Sequence, residues 1–182
     1  MRARGESGFT LIELLIVVAI IAIIAAIAIP GLFRARLSGD EASALASLRA
    51  INSSQHAFWS SCGNGYYGTV LSDLAIIPPS GGAPFISPDL GVGAPSLQKS
   101  GYVIEMDRGS DATAGIRDAC NGVSAASLGS SYYAFADPIF QGTTGVRYFW
   151  TNTLGTIYAD PAATLSGETA GSTPPGSGAP VQ

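Results

Sequence analysis

The sequence predicts an α+β protein: one long N-terminal α-helix, half membrane anchor and half amphipathic, packed on a small antiparallel β-meander. Three observations predict it. Residues 9–29 form an apolar run whose only polar members are Thr10 and Glu13. Leu37, Ala44, Ile51 and Phe58 then recur at heptad spacing, which draws a stripe along one helix face. From residue 101 onward, short aromatic and β-branched segments alternate with turn residues.

The totals narrow the function classes. The chain has 182 residues, enough for an anchor and one modest domain. A net charge of −4 with a single lysine, Lys99, gives no general attraction to nucleic acid. Only 12% of residues are charged, and Gly, Ser and Thr are abundant, so the surface is largely neutral and suited to partial burial in an assembly.

The elements follow in order. Residues 1–8, MRARGESG, read as a leader in which Arg2 and Arg4 keep this end cytoplasmic. Residues 9–29 form a helix roughly 31 Å long, enough to cross a bilayer core. A carboxylate there costs on the order of 2.5–3.5 kcal/mol, so Glu13 needs a partner or a purpose. The alternative is a secretory signal peptide cut near the Ala-rich residues 25–28, which leaves Glu13 unexplained. Pro30 and Gly31 predict a kink or softened turn, because proline removes a backbone donor and crowds the preceding turn.

Residues 30–60 continue the helix as its amphipathic half, with Leu45, Leu48 and Trp59 thickening the apolar side. Ser38–Gly39–Asp40–Glu41 reads as a capping box that backs up the kink while the helix runs through. Anchor and stripe together make a helix of roughly 78 Å, longer than a compact domain of this size requires. His56, the only histidine, reads as a surface or satisfied helical residue; no second ligand stands at metal spacing.

Residues 61–160 form the globular head. Gly63, Asn64 and Gly65 stop the helix. Leu71–Leu74 reads as a short turn of helix or an ordered loop. Residues 77–101, rich in Pro, Gly and Ser, are expected to be a connecting loop. Strands are expected at 101–107, 131–136, 146–151 and 156–159, with a tight hairpin at Asn152–Gly155. Tyr102, Ile104 and Met106 share one face. Cys62 and Cys120 allow one intrachain bridge or two free thiols; an exported location favours the bridge, which would contribute about 4 kcal/mol. Residues 161–182 have no aromatics and one charge, Glu168, and are expected to be a flexible tail suited to O-glycosylation.

Few residues suggest chemistry. Asp107, Asp111 and Asp118 lie scattered in one loop without the alternating pattern of a compact calcium site. No catalytic set, metal site or cofactor site is predicted, and the strand aromatics read as core and cross-strand packing.

The segment Gly8–Phe9–Thr10–Leu11–Ile12–Glu13, the apolar run after it and Pro30 closing it resemble the processing and assembly signature of type IV pilins and type II secretion pseudopilins. The resemblance covers about the first 30 residues. It implies cleavage between Gly8 and Phe9 by a prepilin peptidase, N-methylation of Phe9 by the same enzyme, and a role for Glu13 as the assembly carboxylate pairing with a neighbouring subunit's terminus. It further implies a single-pass inner-membrane protein held in lipid until an inner-membrane assembly platform adds it to a filament of like subunits, then a place on the pilus at the cell surface. Pro30 and Gly31 would be where the helix loosens on packing. A type II secretion pseudopilin, confined to the periplasm, is the alternative; a single-pass, membrane-anchored exported binding domain is a second.

Overall fold

The computed structural model describes residues 8–91 and 96–181. The chain divides between Arg36 and Leu37 into two compact units. Helix α1, Leu11–Ser61, supplies all the regular structure of the first unit and continues into the second. Pro30 lies within it, and the helical assignment passes through Pro30 and Gly31 without a break. Most of the leader, residues 1–7, lies outside the described residues.

In the second unit α1 ends where the sequence turns to Gly and Asn. The Cys62 and Gly63 amides both donate to the Phe58 carbonyl, and Asn64 and Gly65 take φ of 54° and 84°. This left-handed pair reverses the chain at little steric cost. There follow β1 (Tyr67–Gly68), α2 (Leu71–Ala75), α3 (Pro88–Gly91), β2 (Ser96–Lys99), β3 (Tyr102–Arg108), a 3-10 turn at Ala125–Ser127, β4 (Leu128–Gly129), β5 (Tyr132–Pro138), β6 (Tyr148–Asn152), β7 (Ile157–Asp160) and β8 (Ala179–Pro180). Strands β2, β3, β5, β6, β7 and β8 form one antiparallel meander in that order, and β1 pairs with β4 separately.

The inner face of the meander packs on α1. Ala44, Leu48, Ile51 and Phe58 are at most 1% exposed and join Tyr102, Ile104, Met106, Ala134, Ala136 and Phe149 in one core. Alanines opposite the stripe leave room for the helix backbone to approach. The expected alternation in β3 holds: Tyr102, Ile104 and Met106 are buried, while Val103, Glu105 and Asp107 are not.

Several expectations need correction. The loop expected over 77–101 contains α3 and β2. Strand β2 turns into β3 through Ser100 (φ 48°) and Gly101 (φ 73°), a two-residue hairpin with both central residues left-handed. The tail expected to be flexible lies against the outer face of the meander. Leu165, 1% exposed, packs with Tyr133, Phe135 and Trp150. The Trp150 indole donates to the Glu168 carbonyl, the Asn152 amide donates to the Thr173 carbonyl, and β8 pairs with β7. Aromatic side chains on both faces of β5 and β6 explain this, since the outer ones need a cover that only the C-terminal segment supplies.

Two helix residues also differ from expectation. Glu41 does not cap a helix; it binds the approach to β6. Trp59 is 38% exposed rather than in the core stripe. It stacks between His56 and Tyr67.

Candidate functional site

The N-terminal segment is built from a cap and a greasy surface. Thr10 and Glu13 close on each other at the start of α1. The Thr10 amide and hydroxyl donate to Glu13 Oε2 at 2.9 and 2.6 Å, and the Glu13 amide donates to Thr10 Oγ1 at 3.2 Å. This is a reciprocal capping box: a hydroxyl and a carboxylate three residues apart satisfy donors that a helix start leaves open. Glu13 thus has local partners on Thr10, and Phe9 just before them is 76% exposed. No heavy atom within 4 Å would meet a Cβ placed on Gly8.

Beyond the cap, Leu11 to Phe33 present their side chains outward, with Ile23, Ile24 and Ile27 at 63%, 61% and 77% exposure. The most apolar stretch has a mean hydropathy of 3.2 and none of it is buried. Such a surface has no stable place in water, so this part of the helix is matched to lipid or to other apolar helices. Pro30 offers no N–H to the preceding turn, which leaves one helical carbonyl without its usual donor. Arg34 and Arg36 follow directly.

Three polar helix residues, Glu41, Asn52 and Gln55, are matched to the strands and their turns. Glu41 Oε1 accepts from the Val146 and Arg147 amides at 2.9 and 3.2 Å; Oε2 accepts from the Arg147 guanidinium at 2.9 and 2.8 Å. Burial pushes this carboxyl up, but the amide bonds and the guanidinium outweigh it and leave it below the usual carboxylate range. Gln55, fully buried, donates to the Gly68 carbonyl and accepts from the Gly68 amide, pairing with β1 as a strand would. Asn52 donates to Thr151 Oγ1 and the Gly155 carbonyl and accepts from the Tyr132 hydroxyl.

Cys62 and Cys120 form a disulfide with a Cα–Cα distance of 4.8 Å. The Cys120 amide donates to the Cys62 carbonyl, and Asn64 donates to the Asp118 carbonyl, so the helix end and the loop after β3 are joined at three points. Asp107, which lies in β3, and the loop residues Asp111 and Asp118 do not converge. Asp107 accepts from the neighbouring Arg108 amide and Asp118 from the Ala125 amide. Asp111 accepts from the Ser131 hydroxyl, the Gly171 amide and the Ser172 amide and hydroxyl, which hold its carboxyl down at about 2. Among the described residues no group of three His, Cys, Asp or Glu side chains is placed to hold a metal. His56 lies exposed on α1. Sequence reasoning missed Glu41 and Asp111 as anchoring carboxylates, because their partners are backbone amides that no residue pattern marks.

Comparison with protein families finds that residues 3–29 match the prokaryotic N-terminal methylation motif. No curated protein and no solved structure matches the chain. The matched segment contains Gly8, Phe9 and the Thr10–Glu13 cap, and it runs to the end of the exposed apolar surface before Pro30. It is a class III prepilin leader, typical of type IV pilins and pseudopilins, and it implies processing by a prepilin peptidase. With this leader, an exposed apolar helix and a sheet folded on the helix's second half, the chain has a pilin-like α+β fold behind a prepilin-type N-terminus.

Proposed function

We propose that the protein is a structural subunit of a type IV pilus, assembled from the inner membrane through its N-terminal helix. The observation that carries the reading is the combination, within one segment, of the methylation motif and a continuous unburied apolar surface. Cleavage falls between Gly8 and Phe9, and Phe9 becomes the methylated N-terminus. Residues 9–29 rest in lipid until the assembly platform transfers them into a bundle of like helices. Lipid is as apolar as the bundle, so packing and paired polar groups drive the transfer. Glu13 pairs there with the terminal amine of a neighbouring Phe9 and sets the axial register. Pro30 and Gly31 let the helix loosen as subunits pack. Such subunits are typically structural rather than enzymatic, and the mature protein ends at the cell surface.

The test is Glu13→Ala expressed in place of the native chain. Leader cleavage and membrane insertion are expected to persist while sheared surface filaments lose the subunit, as read by mass spectrometry and electron microscopy. Filaments of the mutant at native yield would refute the assembly role. Native chain found only in a periplasmic filament, with none in sheared surface material, would transfer the reading to a secretion pseudopilin.

A further inference from the structure

A pocket opens in the head where α1 meets the turn between β6 and β7. It encloses about 340 Å³, the lower end of the range for small-molecule sites and enough for one ring. Asn52 and His56 come from the helix, Tyr67 and Tyr132 from β1 and β5, and Thr153 to Gly155 from the turn. Four rings run in series along this side. His56 stacks on Trp59 at 6.2 Å and 11°, Trp59 on Tyr67 at 6.3 Å and 22°, and Tyr67 lies 5.1 Å from Tyr132.

The hydrogen bonds divide wall from contact group. Asn52 is used up: it ties the Tyr132 hydroxyl, Thr151 and the Gly155 carbonyl together. The Thr153 hydroxyl is held by the Gly171 carbonyl. These bonds fix the walls in advance, which lowers the ordering cost of binding. The Tyr67 hydroxyl and the His56 ring nitrogens make no hydrogen bond among the described residues. Among the described residues no carboxylate, lysine or arginine lines the pocket, so a charged ligand meets no counter-charge there.

We propose that this pocket binds a neutral pyranose sugar. The apolar C–H face of the ring lies on the aromatic series, and its hydroxyl rim bonds to the Tyr67 hydroxyl and the His56 imidazole. The inference does not depend on filament assembly, since every residue it uses lies in the second unit, from Leu37 onward.

The chain contains its own reporter. Trp59 stacks on His56 and Tyr67, which both line the pocket, and is 38% exposed, whereas Trp150, the other tryptophan, is fully buried beside Leu165. The full chain is solubilised in a polyoxyethylene-alcohol detergent, because maltoside and glucoside head groups would compete. It is then titrated with glucose, galactose and N-acetylglucosamine, with tryptophan fluorescence and saturation-transfer NMR as readouts. Dextran in a parallel arm distinguishes a polymer-borne sugar from a free one; choline tests a cationic occupant of the same rings. The expected result is millimolar binding of at least one neutral sugar, free or on dextran, with a Trp59 signal. Binding should weaken about fivefold in Tyr67→Phe, the loss of one neutral hydrogen bond. It should also weaken in His56→Ala, an exposed substitution that leaves the fold intact. No binding of any neutral sugar at tens of millimolar, choline binding in place of sugar, or binding unchanged in both variants would overturn the proposal.

Discussion

Glu41 offers the sharpest test of how the head is held on its helix. One carboxylate, 9% exposed, receives two backbone amides and an arginine from the chain entering β6. Glu41→Ala removes all of these at once and strands the Val146 and Arg147 amides. Hydrogen bonds to charged groups are worth about 1.5–3 kcal/mol each where water is excluded. The Arg147 side chain is 46% exposed and rehydrates, so its share is discounted. The sum is about 3 kcal/mol, or roughly 9 °C in the melting midpoint for a domain of this size. Glu41→Gln keeps an oxygen for the amides and loses only the charge, so it should cost about 1 kcal/mol. Arg147→Ala should cost less than about 1 kcal/mol, since the amides keep their acceptor. The assay is thermal unfolding of the full chain in detergent, followed by near-ultraviolet circular dichroism of the buried Trp150. Because the folded carboxyl sits below its ordinary value, its contribution is complete above that value and disappears as pH falls through the depressed one. Glu41→Gln should therefore show a shallower acid transition than the native chain. Equal costs for Glu41→Ala and Glu41→Gln would refute the assignment of the backbone amides as the main partners.

Three further outcomes are expected. Leu165→Ala, at the contact that closes the outer face of the meander, should cost about 3 kcal/mol by denaturant unfolding, where a free tail would give no change. Reducing the Cys62–Cys120 bridge, or replacing both cysteines by serine, should lower stability by about 4 kcal/mol, since the bridge closes a loop with a sequence separation of 58. Asp111 titrates at about 2 when folded, so its hold on Gly171 and Ser172 should persist through mild acid and fail only as pH falls toward 2. Amide exchange at Gly171 and Ser172 reads that release, and Asp111→Ala should show fast exchange at neutral pH.

What the sequence made legible follows from which signals are local. The apolar run and the Leu48–Ile51–Phe58 stripe are contiguous or periodic, so the helix could be read along its length, whereas the Thr10–Glu13 cap was not read from the sequence. Strands β3, β5, β6 and β7 announced themselves by alternation and by aromatic content. Strand β2 did not: Ser96–Leu97–Gln98–Lys99 carries one apolar residue, and its evidence is the Ser100–Gly101 turn that pairs it with Tyr102. The C-terminal segment failed for a deeper reason. Its composition gives it no core of its own, and its order comes from a surface built elsewhere: Trp150 and Tyr133 need a cover, and Asp111 and Asn152 need donors and acceptors. Composition measures what a segment can bury by itself, not what a neighbouring face requires of it.

The same distinction separates the two halves of α1. From Leu37 onward the two large buried polar residues of the helix have partners in the sheet region: Glu41 the Val146 and Arg147 amides, Gln55 both backbone groups of Gly68. Before Arg36 the side chains from Leu11 to Phe33 meet no buried surface at all, and the one carboxylate is satisfied by the residue three places before it. A helix can remain without packing partners only where its surroundings are as apolar as its side chains. The Thr10–Glu13 box supplies what such surroundings demand, because a carboxylate bonded to a hydroxyl and an amide is less costly in lipid than a bare one. In the proposed filament a neighbour's terminal amine can bond to Glu13 Oε1, which accepts no hydrogen bond among the described residues, while Thr10 holds Oε2. Thr10→Val removes the hydroxyl and leaves Glu13 only the residue-10 amide as a local partner, so it should impair insertion of the unassembled chain before it impairs the filament. Membrane fractionation of that variant separates the two steps, and normal insertion with normal filament yield would show that the cap carries no weight.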